Sequence, residues 1–210
     1  MQQMLKFHDI EQNSDEWFDM RGGRLTSSKL GVVMANYGNR FGEPAKKYAI
    51  DIAIEQITGK PIPSTFSNAH MERGHEEEPL ALMAYEEQTF QDASNGGFYC
   101  DDFIGCSPDF NIYDEGLGEI KSAIPSVHFD RVRKGGLPGA HKWQCIGNLK
   151  FTGRDWIDFI SFCSAYPEGK QLFIHRVTKE QCTEEFKQIN LRVSEFKALV
   201  DSSRKQIEES

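Results

Sequence analysis

The chain has 210 residues, 39% hydrophobic and 27% charged, a balance that suits one soluble globular domain with a well-buried core. Its 24 Lys and Arg stand against 32 Asp and Glu, and the formal net charge of −8 argues against a protein that coats nucleic acid through bulk charge. No apolar run is long enough to span a bilayer and the N-terminus lacks a basic-then-apolar signal pattern, so a cytoplasmic location is expected.

Residues 1–12 read as a poorly specified lead-in. Asn13-Ser14-Asp15-Glu16 signals a helix start, a capping residue followed by acids at the positive end of the dipole; Arg21-Gly22-Gly23 ends that helix. Thr26-Ser27-Ser28 offers caps for a second helix carrying Leu30, Val33 and Met34. Amides and hydroxyls at such an N-terminus suit an anion, and Arg21 could add a bidentate phosphate clamp. The plainer arrangement has Arg21 paired with a surface acid and the hydroxyls only capping.

An amphipathic helix is expected over 44–58, ending at Gly59, and a longer one from Asn68 to Thr89. Inside the second, Pro79 removes a backbone donor and is expected to bend or start the helix. Of its three consecutive acids, Glu76 and Glu77 are expected to face solvent and Glu78 to point inward.

Gly96 and Gly97 introduce a strand over 98–104, and a β-hairpin follows between Cys106 and Ser122. Phe110 and Ile112 alternate before its turn, Leu117 and Ile120 come after it, and Asp114, Glu115, Gly116 and Gly118 supply turn chemistry. With a period of two, Glu119 and Lys121 share one face while Ile120 points the other way. If Asp109 lies across the hairpin on that face, two carboxylates and an ammonium converge. Such hard oxygen donors suit Mg²⁺, and a lysine beside the metal could orient or deprotonate water. A solvated strand face or a cross-strand ion pair would use the same residues.

A helix over about 128–134 carries Arg131, Arg133 and Lys134, and another runs from Pro138 through 151. Strands are expected at 155–165 and 171–177, and a long helix at 179–207 with Phe186, Ile189, Val193, Phe196 and Val200 as its buried stripe. The order predicts an α/β domain with a short mixed central sheet flanked by helices, one domain over 1–210 with a core of about 14–177. The five cysteines are scattered without a Cys-x-x-Cys pair, which points to free thiols rather than an iron–sulfur or zinc site. No role is assigned to His75 or His141.

From Trp17 to Tyr166 the chain resembles the phage lambda exonuclease group of viral recombination nucleases, which carry a restriction-endonuclease-like core. The resemblance rests on motifs in order: Trp17, Arg21, Thr26 and Ser28; Gly74, Glu78 and Pro79; Ser107, Pro108, Asp109, Glu119 and Lys121; and Gln144 with Thr152 and Gly153. Ile146 stands where many relatives carry a second Gln.

The resemblance implies that Asp109, Glu119, Glu78 and the Ile120 carbonyl bind catalytic Mg²⁺, with Mn²⁺ as a substitute, and that Lys121 positions or activates the attacking water. Arg21, Ser28 and Ser107 would bind the 5′ phosphate of a DNA end. Thr26 and Gln144 are further candidate DNA contacts, as are Arg131, Arg133 and Lys134, for which a plain solvated helix face is the equal alternative. It implies a 5′-to-3′ exonuclease of linear double-stranded DNA that leaves 3′ overhangs for phage-type recombination. It also implies a homotrimer ring, often formed by such relatives, and a single-strand annealing protein as partner. A structure-specific endonuclease of the same core and a non-catalytic DNA-end-binding protein are the alternatives.

Overall fold

A computed structural model describes residues 5–63 and 69–210, with the side chains of 69–72 left aside. The expected helix start at Asn68 and the Met71 side chain fall outside what is described. The chain is α/β, with mixed sheets flanked by helices.

Strand β1 (Lys6–His8) arises within the stretch expected to be irregular and pairs antiparallel with β4 (Phe98–Cys100). Helix α1 (Asp15–Arg21) starts where the sequence signals it, with the Ser14 hydroxyl accepting the Trp17 N–H at 3.2 Å. After β2 (Leu25–Thr26), a single 3₁₀ turn over Ser27–Lys29 leads into a short α2 (Leu30–Met34). Neither has a side-chain cap; Thr26 Oγ1 and Ser28 Oγ meet each other at 3.2 Å, and among the described residues the buried Ser27 hydroxyl has no hydrogen-bond partner.

Pro44 in the first turn and a left-handed Gly59 bound α3 (Glu43–Thr58), whose Ala45, Ala49, Ile52 and Ala53 are buried. Helix α4 (Ala69–Thr89) runs through Pro79. Its inner stripe is Glu77, Ala81 and Tyr85, spaced four apart, so Glu77 is 8% exposed and the expectation that it faces solvent is corrected. The Ser122 and Ser164 hydroxyls donate to its two oxygens, and Arg73 Nε lies 3.9 Å away.

The strand expected at 98–104 is two strands, β4 and β5 (Ile104–Cys106), after the short β3 (Ala93–Asn95). β6 (Phe110–Ile112) and β7 (Gly116–Ser122) form the expected hairpin. α5 (Pro125–Lys134), α6 (Lys142–Thr152), β8 (Trp156–Phe162), β9 (Leu172–Thr178) and α7 (Thr183–Glu208) complete the chain. The strands make two sheets, ordered β1-β4-β5-β2 and β3-β6-β7-β8-β9, where the sequence suggested one. In the larger sheet β7 is antiparallel to β6 and parallel to β8.

Each face of that sheet buries its own cluster. Leu117, Ile157, Phe159 and Val177 pack with α3, α6 and α7. Phe110, Ile112, Ile120, Ile160 and Phe162 pack with Ala81 and Tyr85 of α4. Two glycines allow the hairpin its close contacts: a Cβ on Gly118 would lie 2.1 Å from the Phe110 ring, and one on Gly96 would lie 1.8 Å from the Pro108 carbonyl oxygen. Arg192, though almost fully buried, donates to the carbonyls of Val33, Ala35 and Asn39 and so ties α7 to the end of α2.

Candidate active site

The hairpin register pairs Phe110 with Gly118, and one further step sets Asp109 opposite Glu119. The Asp109 N–H donates to the Gly118 carbonyl at 3.0 Å, and the Ile120 N–H donates to Asp109 Oδ2 at 2.5 Å. Glu119 and Lys121 point with Leu117 toward α6, while Ile120 enters the core on the α4 side. Asp109, Glu119 and Lys121 are thus brought together at one edge of β7.

Glu119 is wholly buried and held by three donors. Lys121 Nζ and Gln144 Nε2 both reach Oε1 at 2.5 Å, and Asn148 Nδ2 reaches Oε2 at 2.8 Å. Gln144 and Asn148 are four apart on α6 and therefore share a face. Gln144 is turned onto the carboxylate, where the sequence reading offered it as a DNA contact. Asn148 stands outside the sequence motifs, although its spacing of four from Gln144 is a usable signal. Its Oδ1 is buried and has no hydrogen-bond partner among the described residues.

Burial, and then the charge of Asp109, push the Glu119 pKa up to about 8. The same two causes raise half-buried Glu78, reaching in from α4, to about 7. Burial raises Asp109 as well, with Lys121 opposing. For Lys121, burial opposes its charge, but Glu119 and Asp109 outweigh that and raise its pKa. Three carboxyl groups therefore press on one another around a single ammonium. Among the described residues no group of three or more His, Cys, Asp or Glu forms a ready-made metal cage. Mg²⁺ does not require one, since it is commonly held by one or two carboxylates plus waters and phosphate oxygens. The all-oxygen donor set fits such a cation, which would relieve the crowding that raises these carboxyls.

A second cluster lies at the start of the chain. Arg21 Nη2 donates to Ser28 Oγ at 3.2 Å, and its guanidinium sits 4.1 Å from the Trp17 ring centre. Ser28 Oγ is 3.2 Å from Thr26 Oγ1. Trp17 Nε1 donates to Ser107 Oγ at 3.1 Å, and Ser107 donates onward to the Gly97 carbonyl. Trp17, Arg21, Thr26, Ser28 and Ser107 thus form one patch, two residues before Asp109. Among the described residues no carboxylate lies within ion-pair distance of Arg21, and burial lowers its pKa. A desolvated cation with hydroxyls beside it is suited to an anion.

The three cations of α5 separate. Arg133 and Lys134 are exposed and both pair with Asp130, at 3.2 and 3.6 Å. Arg131 turns inward to the Lys121 carbonyl. All five cysteines are buried and none forms a disulfide.

Comparison with known proteins follows the same lines. A profile of the YqaJ-like viral recombinase domain matches residues 16–155. An alkaline exonuclease from Laribacter hongkongensis superposes with a TM-score of 0.77 at 25% identity, covering 93% of this chain and 99% of that one. The same enzyme in complex with dAMP gives 0.77 at 26% identity over the same shares. A phage-related exonuclease from Haemophilus somnus shares the fold, with a TM-score of 0.69 at 16% identity over 88% of this chain and 96% of that one. Comparison with curated proteins gives no match. The profile spans the tryptophan–arginine patch, the hairpin and α6, and the chain belongs to the YqaJ-like viral recombinase domain family.

Proposed function

We propose that this protein is a recombination exonuclease. In finer terms it is a Mg²⁺-dependent enzyme that degrades the 5′-ended strand of linear double-stranded DNA and leaves 3′ overhangs for strand annealing. Family membership and the likeness to an alkaline exonuclease support the reaction class. The observation that carries the reading is the meeting of Asp109, Glu119 and Lys121 at one edge of β7, with Glu78 on α4 close enough to feel the charges of Asp109 and Lys121.

Asp109, Glu119, Glu78 and the Ile120 carbonyl would hold the cation, with Mn²⁺ as a substitute. When bound, it would supply Lewis-acid polarisation of the phosphate and a more acidic water. Lys121, paired with Glu119, would orient or activate the attacking water and offset phosphate charge. Gln144 and Asn148 keep the Glu119 carboxylate from rotating. Arg21, Ser28 and Ser107, beside Thr26, receive the 5′ phosphate and seat the terminal linkage near Asp109. Arg133 and Lys134 contact the DNA backbone from the surface of α5.

The chain acts as one nuclease domain over residues 1–210. A homotrimer ring would reconcile the charge of −8 with a DNA substrate, since only its channel need be basic. A single-strand annealing protein would take the product strand in the bacterial cytoplasm. Among the described residues no helix is long and apolar enough to cross a membrane.

The test uses linear 5′-phosphorylated duplex, each strand labelled separately, with Mg²⁺ or EDTA. Stepwise loss of the 5′-ended strand with Mg²⁺ alone is expected. Internal nicking, or binding without cleavage, would overturn the reading.

A further inference from the structure

In sequence, Arg131 is one of three cations at the end of an exposed helix. In the fold its guanidinium is a junction. Nη1 donates to the Lys121 carbonyl and to Ser161 Oγ, each at 3.1 Å, and Lys121 and Ser161 are partners in the β7–β8 register. Nη2 lies 3.1 Å from Nε2 of His141, the residue that precedes α6. The guanidinium lies 5.5 Å from the Phe159 ring centre, and the His141 ring stacks on that same ring at 5.4 Å.

A guanidinium has donors only, so His141 Nε2 accepts this bond. Burial, then the charges of Lys121 and Arg131, push the His141 pKa down to about 4, which keeps that nitrogen free to accept at neutral pH. One side chain therefore fastens β7, β8 and the start of α6. Three and seven residues past His141, Gln144 and Asn148 reach Glu119. The spacing between β7 and α6 sets how those amides meet the carboxylate.

We infer that Arg131 and His141 are positioning residues, a clasp that fixes the Glu119–Lys121 pair against α6, and that Arg131 is not a DNA contact. The inference rests on the nuclease reading above. It follows from the physics of preorganised sites, where a displacement of about 1 Å costs roughly 10²-fold in rate.

The experiment measures kcat and KM on labelled duplex, the salt dependence of DNA binding, and thermal melting. The variants are Arg131→Gln, His141→Phe and His141→Gln. Arg131→Gln and His141→Phe are expected to lower kcat by about 10- to 100-fold, with KM and the salt slope unchanged. His141→Gln returns an acceptor facing Arg131 and should recover most of the rate. Should Arg131→Gln fail to fold, the two His141 variants decide. A normal kcat with raised KM and a salt slope reduced by about 1 would mark a phosphate contact and overturn the inference while leaving the nuclease reading intact. So would a His141→Gln enzyme as slow as His141→Phe. A wild-type protein that cleaves no DNA would overturn the nuclease reading and this inference with it.

Discussion

Asn148, wholly buried on α6, donates to Glu119 Oε2 at 2.8 Å, so a neutral amide sets the orientation of the carboxylate on β7. Replacing it by an apolar side chain of similar size leaves that buried oxygen short of a donor, at a cost of about 1–3 kcal/mol. Asn148→Leu is therefore expected to lower both the urea midpoint and kcat on duplex DNA. Unchanged values of both would mean that the amide does not hold Glu119.

Arg21 has Ser28 and the Trp17 ring as partners and, among the described residues, no carboxylate within ion-pair distance, Glu55 acting on it only from farther away. Arg21→Ala should erase the preference for 5′-phosphorylated over 5′-hydroxyl ends, with a loss of about 1.5–3 kcal/mol in binding the phosphorylated end, the range for a hydrogen bond to a charged group. Binding measured on both kinds of end checks this. An undiminished preference would place the phosphate elsewhere.

Glu119 and Glu78 carry pKa values raised to about 8 and about 7 from an ordinary 4.5. From about pH 4.5 to 8 these two carboxyls keep, in the folded metal-free protein, protons that they release in the unfolded chain, so their contribution to stability falls as pH rises through that window. A divalent cation binds the deprotonated groups, so Mg²⁺ affinity should rise with pH across the same range and binding at pH 7 should release protons. Calorimetry in two buffers of different ionisation enthalpy measures that release. Its absence would show that these carboxyls do not take the metal.

Gly118 leaves no room for a methyl group, since an added Cβ would lie 2.1 Å from the Phe110 ring. Gly118→Ala should cost about 1–3 kcal/mol through overpacking. A shift in the denaturation midpoint reads it, and a neutral result would mean that the ring moves aside freely.

The hairpin is legible in the sequence because its period-two pattern and turn residues are local signals. The same pattern alone puts Glu119 and Lys121 on one face. What escapes the sequence depends on partners far along the chain. β1 is a strand because β4 lies beside it, and Lys6-Phe7-His8 alone carries no such signal. Glu77 looks solvated within an acidic run, yet Ser122 and Ser164 meet it on the inner stripe of α4. Arg131 and Arg133 sit two apart on one helix and read alike in sequence, but only Arg131 faces the Lys121 carbonyl.

The most direct measurement compares cleavage and DNA-end binding side by side for the wild type, Lys121→Ala and Asp109→Asn, with Mg²⁺ present. Both variants are expected to bind DNA ends within a few-fold of wild type, with Lys121→Ala cutting roughly 10²- to 10⁴-fold more slowly and Asp109→Asn at least as slowly. Wild-type cleavage by either variant would contradict the site.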